Sequence, residues 1–141
     1  MSIQKTAEGK NFTAINIGEL SKLDQYEHGK VFLKDAAKMT GSEISFTVYP
    51  PGGSIPFFHS HKTHEEVYVI IKGEGEYQID NTIIPIKEGS VIRVGTGASR
   101  NLKNTGTEPM IVMCEQSVEN TLKGDLMADC DIPQTEPKFS K

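Results

Sequence analysis

The sequence predicts an all-β fold, an antiparallel sandwich or barrel. Between residues 31 and 116, about eight short segments with the composition of strands are separated by turns rich in Gly, Pro and Asn. In the clearest of these segments, Glu43–Tyr49, the apolar residues Ile44, Phe46 and Val48 recur at every second position and therefore share one face of a strand. The segment Pro50–Gly53 ends this strand, because proline cannot donate a hydrogen bond to a ladder.

Length and composition describe one ordinary globular domain. The chain has 141 residues, of which 36% are hydrophobic and 24% are charged, and a second independent core would be hard to fit. A net charge of −4 argues against nucleic-acid binding, which needs clustered Lys and Arg. The longest apolar run, Val67–Ile71, is too short to cross a bilayer. Because the first residues lack the apolar core of a secretory signal, we expect a cytoplasmic protein without membrane contact.

The strands are flanked by two arms. We expect residues 1–41 to form an N-terminal arm with the first strands, because Phe12–Ile17 alternates only loosely and Val31–Leu33 is short. Residues 42–117 contain the main strands. Residues 118–141 carry two prolines and scattered charge, and we expect this C-terminal arm to pack over the strands or over a neighbouring subunit.

The run Val67–Ile71 is apolar at every position, which is typical of a strand covered on both faces. A helix is the alternative, but the β-branched residues and the glycines at 73 and 75 favour a strand. The outer face would be covered by the N-terminal arm or by a second subunit. A hairpin with strands Glu76–Asp80 and Thr82–Ile86 is expected next. Three further strands are expected, over residues 91–94, 100–104 and 110–116.

Two histidines separated by one residue suggest a metal site. In an extended strand, His59 and His61 point to the same face. A turn at residues 62–64 would bring a carboxylate back as a third donor, and only one of the adjacent Glu65 and Glu66 can face the imidazoles. Two imidazoles and one carboxylate suit a divalent ion of Fe, Mn, Ni or Zn, and they leave coordination positions open for water or substrate.

The same region resembles the cupin family. The family's first motif is matched at each fixed position, as Gly53-x5-His59-x-His61-x4-Glu66-x6-Gly73. This resemblance implies a double-sheet jelly-roll barrel over residues 42–117, between the N- and C-terminal arms. It also implies His59, His61 and Glu66 as metal ligands, with Glu66 rather than Glu65 as the carboxylate donor.

The second cupin motif is present with its spacing intact but with two substitutions, as Gly89-x5-Gly95-x-Gly97-x2-Arg100-x3-Asn104. The family usually has Pro where this chain has Gly95 and His where it has Arg100. In the family, that histidine is normally the fourth metal ligand. A guanidinium offers no lone pair and cannot replace it.

Three outcomes are open for Arg100. It could pair with Glu66 in a site without metal, bind a carboxylate or phosphate of a substrate beside a metal, or point to solvent. Our hypothesis is that Arg100 faces the pocket. A further alternative concerns His64, which lies in the turn and could serve as a replacement fourth ligand.

Aromatic residues near the motif are candidates to line a ligand pocket. Phe57, Tyr68 and Tyr77 are predicted to bind substrate together with Arg100. For each aromatic ring, packing in the core without any contact to substrate is an alternative that the sequence supports at least as well.

Two functions stay open. The first is a metal-dependent cupin acting on a small anionic organic molecule, as a dioxygenase, isomerase or decarboxylase. The second is a non-catalytic, metal-free binding module whose site is closed or re-purposed by Arg100. The resemblance also implies a homodimer.

Overall fold

The structure is a computed structural model and describes residues 2–140. Within these residues the chain forms ten strands, one short α-helix and two 3₁₀ turns at Leu20–Gln25 and Glu27–Gly29. The strands and the helix are β1 (Gln4–Gly9), β2 (Phe12–Asn16), β3 (Lys30–Phe32), α1 (Lys34–Ala37), β4 (Glu43–Tyr49), β5 (His64–Lys72), β6 (Glu74–Ile79), β7 (Thr82–Lys87), β8 (Val91–Val94), β9 (Arg100–Asn104) and β10 (Met110–Val118).

The strands after β2 form two antiparallel sheets. One sheet has five strands in the order β3-β4-β10-β5-β8, and the other has three in the order β7-β6-β9. Both sheets contribute to one hydrophobic core, whose buried members include Tyr68, Ile70, Met110 and Val112 from the larger sheet and Tyr77, Ile86 and Leu102 from the smaller one. This arrangement confirms the predicted all-β, antiparallel, double-sheet fold class.

Strand β4 buries its polar face. The side chains of Ser45 and Thr47 are 4% and 9% exposed, whereas Ile44, Phe46 and Val48 on the opposite face are half-buried. Buried hydroxyl groups on a strand face are unusual, because a polar group without a partner is costly away from water. Here that face lines a cavity described below.

Strand β5 has one fully buried face and one partly covered face. Tyr68 and Ile70 point inward and are almost fully buried, while Val67, Val69 and Ile71 alternate with them and are half-buried. The predicted strand is therefore confirmed. Its outer face is only partly covered by the described residues of this chain.

One position in the smaller sheet requires glycine, because the backbones of β6 and β9 approach each other closely there. Strand β6 lies between β7 and β9, and a Cβ on Gly75 would lie 2.1 Å from the carbonyl oxygen of Lys103 on β9. Any larger residue would separate these strands.

The terminal segments pack little against the two sheets. The strands β1 and β2 form a hairpin in which every residue of β1 is exposed. Residues 120–140 contain no strand or helix, and all of them are exposed. Nowhere in the described part of the chain is there a helix with the length and apolar character needed to span a membrane.

Candidate metal and ligand site

His59 and His61 lie in a loop, so the strand predicted for them is wrong. The loop joins β4 to β5, and within it His59 forms one isolated bridge with Arg100. The His59 amide donates to the Arg100 carbonyl at 3.3 Å, and the Arg100 amide donates to the His59 carbonyl at 3.0 Å. Pro56 lies shortly before this bridge and has no N–H to donate, which limits continuous strand pairing here.

The loop nevertheless brings the three predicted metal ligands together. One ligand atom each from His59, His61 and Glu66 can be chosen so that all lie within 4.8 Å of one another. The two imidazole centroids are 5.5 Å apart, and His61 Nε2 lies 3.1 Å from Glu66 Oε1. The Nδ1 atom of His59 is buried and has no hydrogen-bond partner among the described residues. This donor set fits a divalent transition-metal ion.

The other oxygen of Glu66 is held by three donors. Glu66 Oε2 accepts hydrogen bonds from Tyr68 Oη at 2.6 Å, from Arg100 Nε at 3.0 Å and from Arg100 Nη2 at 2.6 Å. A third guanidinium nitrogen, Nη1, donates to the carbonyl of Ala98 at 2.9 Å. Arg100 is 0% exposed and Glu66 3%. Three outcomes were open for Arg100, and the structure shows its pairing with Glu66. The side chain does not point to solvent.

The environment sets the protonation states that a metal site needs. Burial raises the pKa of Glu66, but the hydrogen bonds from Tyr68 and Arg100 and the charge of Arg100 outweigh burial, so this pKa lies below its usual range. Burial lowers the pKa of His59, and the positive charge of Arg100 lowers it further. An ionised carboxylate and a neutral imidazole both have lone pairs available for a cation.

A cavity of about 560 Å³ opens beside these groups. It lies between the inward face of β3, β4, β10 and β5 and the loop after β4. His59, Glu66, Tyr68 and Phe57 are among its lining residues. A pocket of this size suits a small organic molecule.

Two residues predicted to bind substrate do not line this cavity, namely Tyr77 and Arg100. Tyr77 is 0% exposed and packs edge-on against Tyr68, with ring centroids 5.0 Å apart. Its buried hydroxyl has no hydrogen-bond partner within residues 2–140. Substrate binding by Phe57, Tyr68, Tyr77 and Arg100 stays a prediction.

His64 is engaged elsewhere. Its Nδ1 lies 2.9 Å from Oε1 of Gln116 on β10, and its ring centroid lies 6.0 Å from that of His61. It does not belong to the converging group of ligand atoms. Its role as a replacement fourth ligand stays a prediction.

The second motif holds the loop that carries His59 and His61 in place. The amide of Gly97 donates to the carbonyl of His61 at 2.9 Å. The side chain of Asn104 is fully buried, donates to the carbonyls of Tyr49 and Glu108, and accepts from the amide of Gly106. The motif therefore supports the loop through the backbone amides of Gly97 and Arg100 even though its usual histidine is replaced, and Asn104 fixes the end of β4 to the turn before β10.

Several cavity residues are missed by sequence reasoning. They come from β3, β4 and β10 and are Lys30, Phe32, Ser45, Thr47, Cys114 and Gln116. The available signal was the polar face of β4, where Ser45 and Thr47 alternate with apolar residues. Reading that face as a cavity wall requires the pairing of β4 with β3 and β10.

Comparison with known proteins agrees with this geometry. The family model of the cupin domain matches residues 45–114. The crystal structure of a cupin protein from Bacteroides fragilis superposes with a TM-score of 0.77 at 29% identity, covering 89% of this chain and 99% of that chain.

Two matches are to proteins from Thermotoga maritima. An oxalate-binding protein is 39% identical over 57 residues, which are 40% of this chain and 46% of that protein. The crystal structure of a predicted oxalate decarboxylase has a TM-score of 0.58 at 27% identity, covering 63% of this chain and 78% of that chain. The chain spans about half the length of the curated relatives it matches. The motif spacing, the two sheets and these matches together show that the chain belongs to the cupin family.

Proposed function

We propose that the cavity binds a small anionic organic molecule and that His59, His61 and Glu66 hold a divalent transition-metal ion at its inner end. The observation that carries this proposal is the convergence of two imidazoles and one ionised carboxylate within 4.8 Å, with two of these three residues on the wall of a cavity of about 560 Å³. The oxalate-binding relative supports a small anion as the ligand.

The neighbouring residues orient the carboxylate of Glu66. Tyr68 and Arg100 hold Glu66 Oε2 with three hydrogen bonds, so Oε1 is left facing His61. Arg100 thereby orients the carboxylate and favours its ionised form, which is a positioning role. When bound, a divalent ion in such a site supplies Lewis acidity toward an oxygen of the ligand.

A second candidate function is a binding module without metal. The observation that favours it is the fixed positive charge of Arg100, whose Nη2 lies 2.6 Å from the carboxylate that would serve as a ligand. A guanidinium so close to the site opposes a dication, because like charges repel strongly in a buried environment. In this alternative the Arg100–Glu66 pair closes the inner end, and the cavity alone binds the anion.

Elemental analysis of the purified, untagged protein separates the two candidates. The variants are His59→Ala/His61→Ala and, as a matched control for the metal ligands, His28→Ala, which removes an exposed histidine that lines the cavity but lies outside the converging group. The first proposal expects close to one transition-metal ion per chain, lost in the double variant and retained in the control. A wild-type protein that stays without metal after incubation with Mn²⁺, Fe²⁺, Ni²⁺ and Zn²⁺ would favour the second.

We also propose that the protein is a homodimer. Support comes from the hairpin β1–β2, which joins neither of the two larger sheets within residues 2–140. It also comes from large apolar side chains in the C-terminal segment, where Leu122 is 95% and Leu126 91% exposed. Exposed apolar side chains of this kind can be covered when two copies of the chain associate. Light scattering after size-exclusion chromatography should give twice the 15.5 kDa mass of the chain. A monomeric mass at micromolar concentration would contradict this proposal.

A further inference from the structure

The edge strand β3 contributes to the cavity wall. In the antiparallel pairing of β3 with β4, Lys30 lies opposite Thr47 and Phe32 lies opposite Ser45. Residues directly opposite each other on neighbouring strands share one face of the sheet. Since Ser45 and Thr47 line the cavity, Lys30 and Phe32 point to the same side, and all four residues are among its lining residues.

The charges on the cavity wall are unequal at its two ends. Glu66 is the one carboxylate among the described lining residues, and Arg100 neutralises it at 2.6 Å. Lys30 takes part in none of the ion pairs formed within residues 2–140. Its Nζ lies 4.9 Å from the centroid of the Phe32 ring. The cavity therefore carries an uncompensated positive charge at its β3 end, placed over an aromatic ring.

The remaining wall near Lys30 is partly polar and partly apolar. Ser45, Thr47 and Gln116 offer hydrogen-bonding groups, whereas the apolar part is made by Phe32, Val48, Ile55, Phe57 and Val112. A single ammonium matches a single negative charge. The apolar surface matches a carbon skeleton that a two-carbon dicarboxylate such as oxalate does not have.

The position of Lys30 also sets the shape of the ligand. Strands β4 and β10 lie between β3 and β5, so the backbones of β3 and β5 are separated by roughly 14 Å across the sheet, at about 4.8 Å per strand. Lys30 is also offset from Glu66 along the strand direction, because the strand register places it level with Ile70. A molecule that contacts both ends must be elongated. Its anionic group then lies at the β3 end, away from His59 and His61.

We propose that Lys30 determines the specificity of this site for an elongated organic acid, by binding the carboxylate at the β3 end while the apolar body lies along Phe32 and Phe57. This inference rests on the proposed function, in that it assigns a ligand class to the same cavity. It also moves the anion-binding role that the sequence suggested for Arg100 to Lys30, because the guanidinium of Arg100 is already committed to Glu66 and Ala98.

The test is calorimetric titration with 3-phenylpropanoate, its uncharged amide and oxalate. The wild-type protein should bind 3-phenylpropanoate and should bind the other two at least about tenfold more weakly. The variant Lys30→Met should lose about ten- to hundredfold in affinity for 3-phenylpropanoate, the size expected for a hydrogen bond to a charged group. Lys30→Arg keeps the charge and should retain most of the affinity. Lys72→Met, which removes an exposed lysine at the end of β5, is the matched control and should bind like wild type.

Two results would overturn the inference. If Lys30→Met, shown to be folded by its thermal unfolding, binds 3-phenylpropanoate as tightly as the wild type, Lys30 does not select the anion. If the wild-type protein does not bind 3-phenylpropanoate, or binds oxalate more tightly, the assigned ligand class is wrong. Metal content is measured on the same samples, so failure of the metal site and failure of the Lys30 assignment are distinguished.

Discussion

Two neighbouring residues on β5, Glu65 and Glu66, each pair with an arginine, but on opposite faces of the sheet. On the outer face, Glu65 accepts a hydrogen bond from Arg93 Nε at 2.6 Å, and the Arg93 side chain is 55% exposed. On the inner face, Glu66 accepts from Arg100, whose side chain is 0% exposed. The two pairs have the same chemistry and similar distances, so differences between them measure the effect of burial.

The inner pair is part of a network that water cannot replace. Arg100 and Glu66 have both left solvent, and each would be strongly destabilised without the other. The outer pair can exchange its partners for water, so its net contribution is small even though Arg93 also binds Glu119. Arg100 therefore stabilises the inner end of the cavity, whereas the exposed contacts of Arg93 on the outer face contribute little to stability.

The largest expected effect comes from Arg100→Met. This variant leaves Glu66 buried with two of its three Oε2 donors removed, and it should lower the free energy of unfolding by about 3–5 kcal/mol. Urea denaturation followed by circular dichroism gives the value. In the double variant Arg100→Met/Glu66→Gln, part of the loss should be recovered because no unpaired charge remains. A loss below about 1 kcal/mol in the single variant would show that the inner pair behaves like a surface pair.

The next largest effect on stability is expected from the hydroxyl group of Tyr68, which has a partner, and not from that of Tyr77. Tyr68→Phe removes a hydrogen bond to the ionised Glu66 and should cost about 1.5–3 kcal/mol of unfolding free energy. Tyr77→Phe is the matched control, because the Tyr77 hydroxyl is buried without a partner among the described residues. It should cost less than about 0.5 kcal/mol or stabilise the protein. Equal losses in the two variants would contradict the assigned role of the Tyr68 hydroxyl.

The two arginines should also differ in their effect on metal affinity, which replacement of each by histidine tests. Arg100→His removes the fixed positive charge and adds a third imidazole as the fourth donor of the set, so affinity for Zn²⁺ or Mn²⁺ should rise by about tenfold or more. Competition with a chromogenic chelator measures this affinity. Arg93→His, on the outer face, should leave it unchanged. An unchanged affinity in Arg100→His would show that Arg100 does not oppose a metal ion.

The smallest effect is expected on the outer face. Arg93→Met breaks the contacts to Glu65 and Glu119, yet it should lower the unfolding free energy by less than about 1 kcal/mol because the groups are exposed. The same urea series measures it, and 0.5 M NaCl should reduce the difference further by screening. A loss comparable to that of Arg100→Met would mean that the exposed contacts of Arg93 stabilise the fold as strongly as the buried pair does.

Much of the site follows from short-range sequence signals. The spacing of His59, His61 and Glu66 predicted three donors that converge, and alternation on β5 placed Glu65 and Glu66 on opposite faces. The strand predicted for the two histidines was wrong, but convergence did not depend on it, because the bridge to Arg100 fixes His59 from outside its own segment.

The sequence by itself determined the all-β fold class, the cupin motifs and the candidate metal ligands. Each of these depends on the spacing of residues that lie close to one another in the sequence. Only the tertiary structure decided that Arg100 pairs with Glu66, 34 residues away, and that Lys30 faces the same cavity. Both facts follow from the register between strands that are distant in sequence. A shift of one residue in that register would have turned these side chains to the opposite face.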